Sequence, residues 1–294
     1  MAKKRLLVIV NMGASRAQLA VGPALGTFAT EGYDVDFRLS TDRDHVNELI
    51  RTQAEGAEAV VIGGGDGTIG SALPALLDSG LPLGILPLGT ANDLALTLGI
   101  PEDPAEAARV ITSGIPRPID IGRANDVPFV NVASVGFSVT VAQRQDAERK
   151  KQWGALSYVL TTLGVLSEAD RFRATITCGD KTEEVHAYQI AVGNGVHYGG
   201  GMIVSEEARI DDGMLDLYAI QTLSLTDLVM LAPAIRSGTL GRYSEVSVYR
   251  GSSALIETAE PMPVNTDGEV TTETPVRFSV DNQALKVMVP REEE

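Results

Sequence analysis

Residues 60–69, VVIGGGDGTI, decide the fold, because a run of branched apolar residues meets four glycines there. The run Ala59–Ile62 indicates a strand covered on both faces. A glycine-rich turn between a strand and a helix is typical of phosphate sites, since glycines admit a ligand to the main chain and a helix start presents N–H groups. We expect positive φ at these glycines, and a turn without a ligand is the alternative.

The segment after Thr68 carries apolar residues at helical spacing, which predicts a helix that follows the glycines directly. Its apolar face comprises Ile69, Ala72, Leu73, Leu76 and Leu77. Pro74 lies inside this pattern and lacks a backbone donor, so we expect a kink or a later helix start.

Strand-like runs and helical patterns alternate on both sides of this stretch. Further strands are predicted at Arg5–Asn11, Tyr33–Leu39 and Leu83–Leu88, and further helices at Arg16–Glu31 and from an N-cap at Asp44 to Gly56. Strand-helix-strand alternation with short connections implies a right-handed, mostly parallel α/β sheet.

From about residue 124 onward the chain changes to strands and turns. The predicted strands are Val127–Val135, Arg173–Cys178, Val185–Val192, Met214–Ile220, Glu245–Tyr249 and Val276–Val280, with a hairpin turn at Gly179–Lys181 and one helix at Gly154–Leu166. We therefore predict an α/β nucleotide-binding domain with a parallel sheet, residues 1–123, followed by a β-rich sandwich domain, residues 124–294. A return of the last residues to the first domain is left open.

A second glycine turn, LGILPLGTAND at Leu83–Asp93, follows the next strand. Gly89 and Thr90 offer donors there, and Asn92 is suited either to contact a sugar or phosphate or to cap a helix. Adjacent parallel strands place both turns along the same carboxyl edge, where open α/β sheets bind ligands.

Two phosphate-binding classes fit the glycines poorly. Gly65–Gly70 satisfies G-x-G-x-x-G, but the acidic residue that a dinucleotide site needs about 20 positions later is missing at Gly84–Leu86. Gly84 and Gly89 have the spacing of a P-loop, but Thr90-Ala91 replace the Lys-Ser/Thr pair that grips phosphate and Mg²⁺.

Five motifs in order resemble the soluble bacterial diacylglycerol-kinase-like lipid kinases, relatives of sphingosine and ceramide kinases. They are GGDGT at Gly64–Thr68, LGTAND at Leu88–Asp93, VGNG at Val192–Gly195, DDGMLDL at Asp211–Leu217 and DGE at Asp267–Glu269. The resemblance implies an ATP-binding α/β domain, a β-sandwich domain and an active site in the cleft between them. GGDGT alone is also similar to NAD kinase.

The resemblance also implies roles for particular residues. The ATP phosphates would be held by Gly64, Gly65, Asp66, Gly67, Thr68 and on to Ser71, by Gly89, Thr90 and Asn92, and by Asn11 and Ser40 on neighbouring strand ends. Asp66 would act through Mg²⁺ or the phosphates. The general base would come from Asp267 or Glu269, although Asp-Gly is also a common hairpin turn.

A structural Mg²⁺ site is implied at residues 209–214. The Asp212 carboxylate with the carbonyls of Arg209 and Met214 would supply hard oxygen ligands. The alternative is an acid-rich turn before a strand.

Three departures from the family pattern leave the acceptor and the efficiency open. Gly70-Ser71 stand where Asn-Glu is usual after GGDGT, and Met12–Ser15 replace a loop with Pro and Ser-Gly. Leu94-Ala95-Leu96 replace an aromatic residue and an arginine.

Composition bounds the function. The 294 residues include 24 Lys and Arg against 39 Asp and Glu, a net charge of −15, which argues against nucleic acid as a partner. One cysteine indicates a reducing cytoplasm, with peripheral and transient membrane contact at most. We predict a kinase that uses ATP and Mg²⁺ to phosphorylate a lipid alcohol such as diacylglycerol. An NAD kinase, another small-alcohol kinase and a nucleotide-binding regulator without catalysis are the alternatives, and a homodimer is left open.

Overall fold

The structure is a computed structural model that describes residues 4–13, 17–136, 170–221 and 233–291, with backbone alone at 17–20. The helix predicted at 154–166 lies outside these residues.

The first half of the chain forms a parallel sheet covered by helices. Its elements are β1 (Arg5–Asn11), α1 (Ala17–Thr30), β2 (Asp34–Ser40), α2 (Arg43–Gln53), β3 (Ala59–Gly64), α3 (Asp66–Ser79), β4 (Leu83–Pro87), α4 (Asp93–Thr97) and α5 (Pro104–Ser113). The strand order β2-β1-β3-β4 is parallel throughout. Every residue of β3 and β4 is buried, which is why these strands are continuous apolar runs.

Helix α2 begins two residues earlier than expected. Asp42, not Asp44, is the N-cap, because Asp42 has extended backbone and its carboxylate accepts the N–H of His45 at 2.9 Å. Asp44 lies in the first turn, where a negative charge also favours the helix.

Helix α3 continues through Pro74, so the later helix start is wrong. Pro74 has no N–H to donate to the carbonyl of Gly70, and its ring disturbs the surrounding helical turn. The side chain of Asn47 on α2 bonds to the backbone next to the proline: its Oδ1 accepts the N–H of Ala75 at 3.1 Å, and its Nδ2 donates to the carbonyl of Ser71 at 2.7 Å. A long-range amide thus fastens α2 to α3.

The second half packs two sheets face to face. Its strands are β5 (Ile115–Ala124), β6 (Val127–Phe129), β7 (Val132–Gly136), β8 (Phe172–Cys178), β9 (Lys181–Ala187), β10 (Gln189–Gly193), β11 (His197–Tyr198), β12 (Met202–Ile203), β13 (Leu215–Ile220), β14 (Val246–Gly251), β15 (Ser253–Thr258), β16 (Pro263–Thr266), β17 (Glu269–Glu273) and β18 (Val276–Val289). One sheet has the order β14-β13-β10-β7-β16-β17. It shares a buried apolar core with β8, β15 and β18 of the other sheet. The predicted α/β domain and β-sandwich domain are both present.

The long strand β18 connects the two halves. It pairs with β15 and β5, and Val287 pairs in parallel with Leu83 of β4, so the parallel sheet and one sandwich sheet are continuous. The strand predicted at Val276–Val280 continues to Val289, and β5 is an additional strand that was not predicted, since its two prolines disfavour a strand.

Two predicted strands are interrupted. Val127–Val135 is divided at residues 130–131, and the strand after the Gly179 hairpin is divided at Tyr188 between the two sheets. The hairpin itself is confirmed, with Gly179 at φ +57°.

No helix in the described ranges is long and apolar enough to cross a membrane.

Candidate active site

The two glycine turns pack backbone against backbone. The N–H of Leu88 donates to the carbonyl of Gly64 at 2.9 Å. A Cβ added at Gly89 would lie 2.5 Å from the Cα of Gly65, and one added at Gly64 would lie 2.6 Å from the Cβ of Thr68. The expected positive φ is wrong for Gly63, Gly64, Gly65 and Gly67, and the φ of Gly89 is not positive either. Close approach, rather than an unusual φ, therefore explains glycine at positions 64 and 89.

The start of α3 is open to a ligand. A Cβ at Gly67 would meet no atom within 4 Å, so the space above this turn is free. The N-cap is Gly65, which has no side chain to cap the first N–H groups. These N–H groups and the positive end of the helix dipole suit an anion such as phosphate.

Asp66 joins the two turns. Its Oδ2 accepts the N–H of Asp93 at 3.0 Å and its Oδ1 accepts the N–H of Leu94 at 3.0 Å, so the carboxylate caps α4. Oδ1 also accepts the side-chain amide of Asn131 at 3.2 Å. A role of Asp66 toward Mg²⁺ or phosphate stays a prediction.

The remaining predicted phosphate contacts have different surroundings. Asn92, at φ +55°, is buried and bonds to both the N–H and the carbonyl of Gly89, so its side chain shapes the second turn. Thr90 is exposed beside it. Asn11 donates through Nδ2 to Oγ1 of the buried Thr68 at 3.0 Å, which ties the end of β1 to α3.

Ser40 lies at the end of β2 and is 1% exposed. Its Oγ has no hydrogen-bond partner within the described part of the chain. A buried hydroxyl without a partner is costly and is often found at functional sites. Its contact with ATP stays a prediction.

Asp267 lies in the turn between β16 and β17 and accepts three backbone hydrogen bonds. Its Oδ2 accepts the N–H of Val130 at 2.7 Å, and its Oδ1 accepts those of Asn131 at 2.9 Å and Val132 at 3.1 Å. These bonds turn the chain between β6 and β7, which is why the predicted continuous strand is interrupted there. The buried Nδ2 of Asn194, from the VGNG motif, holds the carbonyl of Val130 at 2.9 Å.

The pKa of Asp267 is raised from 3.8 to about 6, chiefly because burial disfavours the charged form. The three N–H bonds oppose this rise, and the nearby charge of Asp66 adds to it. Asp267 also has φ +49°, in the left-handed region, where few residues other than glycine and asparagine or aspartate are found.

A cavity of about 150 Å³ lies between α3 and the hairpin of β16 and β17. It is lined by Arg43, Gly67, Gly70, Ser71, Pro74, Val127, Pro128, Thr266, Asp267, Glu269 and Thr271. A Cβ at Gly70 would lie 3.5 Å from Oδ2 of Asp267, so the lack of a side chain there keeps this carboxylate accessible. Glu269 forms an ion pair with Arg43 of α2. The cavity thus brings the predicted phosphate turn and both predicted carboxylates together.

Three site residues were missed by sequence reasoning. Neither Asn131 nor Arg43 lies in a sequence motif that indicates a functional role. Asp93 was noticed only as part of a motif, yet it is buried and accepts the N–H groups of Gly200 and Gly201 at about 3 Å. Burial raises the pKa of Asp93, while the two N–H groups act against that rise.

The loop at His197 contacts helix α4 of the first domain. His197 Nδ1 lies 3.0 Å from Oγ1 of Thr97 on α4, and burial lowers the pKa of this imidazole.

The residues predicted to hold structural Mg²⁺ lie in one turn before β13. Gly213 donates its N–H to the buried Asp120 at 2.6 Å, which fixes this turn against β5. Asp212 accepts the N–H of Met214 at 3.0 Å. The magnesium site stays a prediction.

Family models match both halves of the chain. Residues 5–124 match the diacylglycerol kinase catalytic domain, and residues 131–289 match the YegS C-terminal NAD kinase beta sandwich-like domain. The two halves of the chain are therefore those of a kinase of the diacylglycerol kinase type.

Similar proteins extend over almost the whole chain. A Pseudomonas aeruginosa protein named "Probable lipid kinase YegS-like" is 33% identical over 293 residues, covering 99% of this chain and 96% of the relative. A Klebsiella pneumoniae protein of the same name is 33% identical over 291 residues, covering 97% and 95%. The crystal structure of a "putative diacylglycerol kinase" from Bacillus anthracis has a TM-score of 0.83 at 26% identity, covering 98% and 96%. The chain belongs to the YegS family of diacylglycerol-kinase-like proteins.

Proposed function

We propose that this protein transfers the γ-phosphoryl group of ATP to the hydroxyl group of a lipid alcohol such as diacylglycerol. The observation that carries the proposal is the cavity shared by Gly67, Asp267 and Glu269, where a phosphate turn faces carboxylates. Phosphoryl transfer needs positioning, charge neutralisation and a group that accepts the proton of the attacking hydroxyl. The names of the relatives support a lipid acceptor.

The phosphates of ATP are assigned to the N–H groups at the start of α3 and to the exposed Thr90, since the N–H of Gly89 is already bonded to Asn92. With a net charge of −15, general electrostatic attraction does not bring ATP to this protein. Recognition rests on oriented N–H groups and on the Mg²⁺ that accompanies the nucleotide and neutralises its phosphates.

We divide the two carboxylates between two roles. Asp267 uses both oxygens to hold the N–H groups at residues 130–132, so it positions the turn. Glu269 lines the same cavity, and its side chain is 35% exposed. Glu269 is therefore the proposed general base, and its pairing with Arg43 gives way when the acceptor hydroxyl enters.

Contact with a membrane is part of this proposal, because the acceptor resides in a bilayer. The net negative charge disfavours adsorption to anionic lipid, so the contact is transient and apolar. Leu96 of α4 and Val270 of β17 are exposed apolar side chains that suit such contact.

Purified protein with labelled ATP and mixed micelles of diacylglycerol tests the proposal. Glu269→Gln should lower kcat by about 100-fold or more with an unchanged unfolding midpoint, since general bases contribute factors of this size. Glu273→Gln, at an exposed position on the same strand, is the matched control and should keep full activity.

Activity of Glu269→Gln within twofold of the parent would overturn the assigned base. Transfer to NAD and to no lipid would identify an NAD kinase instead. Tight ATP binding without transfer to any component of a total lipid extract would indicate a regulator.

A further inference from the structure

Arg250 occupies the centre of an acidic cluster next to the predicted magnesium turn. Strand pairing sets Arg250 of β14 opposite Asp216 of β13. Its Nη2 lies 2.6 Å from Oδ2 of Asp212, and its Nε lies 3.4 Å from Oδ1 of Asp216. Its Nη1 lies 3.7 Å from the carboxylate of Glu207, whose carbonyl also accepts from Nη2 at 3.5 Å.

Both carboxylate oxygens of Asp212 are therefore engaged. Oδ1 accepts the N–H of Met214 within the turn, and Oδ2 accepts the guanidinium of Arg250. Mg²⁺ requires oxygen ligands at about 2.0–2.1 Å in near-ideal octahedral geometry. A guanidinium on the same oxygen repels such an ion, so the side chains of this chain do not fit the implied structural metal.

The neighbouring carboxylate, Asp211, is also paired with arginine side chains. Asp211 pairs with Arg117 at 2.5 Å and lies 3.4 Å from Nε of Arg209, which together lower the pKa of this carboxyl against the effect of burial. Two successive carboxylates thus each have a guanidinium. Asp120 of β5, against which this turn packs, accepts backbone N–H groups from Gly213 and Gln283.

We propose that the guanidinium of Arg250 takes the place of the structural Mg²⁺ that the family resemblance implies, so that the turn at residues 209–214 is ordered without a metal. One planar group reaches Asp212, Asp216 and Glu207 from different nitrogens, as a divalent ion would bridge several oxygens. Asp216 is 6% exposed, and removal of Arg250 leaves this buried carboxylate without its paired guanidinium. This inference does not depend on the identity of the acceptor.

Thermal unfolding of the protein without nucleotide tests the proposal, with 5 mM MgCl₂ or with EDTA at matched ionic strength. The parent protein should show the same midpoint in both. Arg250→Met should lower the midpoint by about 5 °C or more, as loss of one partner of a buried pair does. Mg²⁺ should recover part of that loss, because the carboxylates are then free to bind it.

Arg242→Met is the matched control, since Arg242 pairs with Glu206 at an exposed site nearby, and its midpoint should change little. Arg250→Lys keeps the positive charge but lacks the planar guanidinium group, so its unfolding midpoint should lie between those of the parent and Arg250→Met. Should Arg250→Met fail to fold, titration of the parent with Mg²⁺ alone decides. Stabilisation or binding of the parent by Mg²⁺ that disappears in Asp212→Asn would overturn the proposal.

Discussion

Asp66 and Asp267 hold the same residue, Asn131, from opposite sides. Asp66 accepts the side-chain Nδ2 of Asn131 at 3.2 Å, and Asp267 accepts its backbone N–H at 2.9 Å. The first carboxylate starts α3 and caps α4, while the second lies in the hairpin of the other domain. Asn131 therefore connects the predicted phosphate turn to the hairpin that carries the proposed general base.

This connection predicts a coupling energy between Asp66 and Asn131. Asp66→Asn and Asn131→Ala should each lower the free energy of unfolding by about 1–2 kcal/mol, since each removes a cap or a buried hydrogen bond. The double variant should lose less than the sum by about 0.5 kcal/mol or more. Urea denaturation of the four proteins measures the difference, and additive losses would contradict the connection.

Gly67 and Gly89 should respond in opposite ways to alanine. Gly89→Ala places a methyl group 2.5 Å from the backbone of Gly65 and should destabilise the fold by about 3 kcal/mol. Gly67→Ala enters open space in a helix and should keep or raise stability by up to about 1 kcal/mol. It should nevertheless weaken ATP binding about tenfold or more, because the methyl group lies where phosphate is proposed to bind. Urea denaturation and titration calorimetry separate the two effects, and equal ATP affinity of parent and Gly67→Ala would count against the site.

Ser40→Ala tests the buried hydroxyl. Removal of an unpaired buried polar group should leave stability unchanged or raise it by about 1 kcal/mol in the absence of nucleotide. If Ser40 is a nucleotide contact, as the resemblance implies, the same change should weaken ATP binding by about tenfold. Lower stability with unaltered ATP affinity would assign Ser40 a purely structural role.

Asp267 should make stability depend on pH. Its pKa is about 6 in the folded protein against an ordinary value of 3.8, so the folded state retains the proton more strongly. The stabilisation is complete below pH 3.8 and is lost as the pH rises through 6. The unfolding free energy of the parent minus that of Asp267→Asn should therefore fall by about 1 kcal/mol from pH 5 to pH 7.5, because only the parent loses this stabilisation.

Glu273→Gln is the control for this experiment and should show no comparable trend. A difference that grows with pH would mean that the three backbone N–H groups outweigh burial and hold the pKa below its ordinary value.

Features with a short-range cause were predictable. Continuous apolar runs predicted β1, β3 and β4, and the order of motifs predicted both domains and their family. Gly179 and Asp267-Gly268 were correctly placed in turns because the residue types that tolerate such backbones are few. The position of both glycine turns at one sheet edge followed from the parallel alternation of strands and helices.

Long-range contacts account for what sequence reasoning missed. The strand predicted through Val130 is interrupted because Asp267, 137 residues away, takes its N–H. Helix α3 continues past Pro74, and Asn47 from α2 bonds to the backbone N–H of Ala75 and the carbonyl of Ser71 beside the proline.

The sequence by itself determined most elements of the first half, the change from alternating strands and helices to a β-rich half, and the chemical types at the site, since these depend on periodicity and on residue conformational preference. Only the tertiary structure decided which groups are engaged with one another. In the folded chain Asp66 caps α4, and Asp267 accepts the N–H groups of residues 130–132. Arg250 lies among the carboxylates next to the predicted metal turn. The reason is physical. The residue type does not specify whether a carboxylate interacts with a ligand, a backbone N–H or a guanidinium, because its partner is set by the packing of segments that are distant in the sequence.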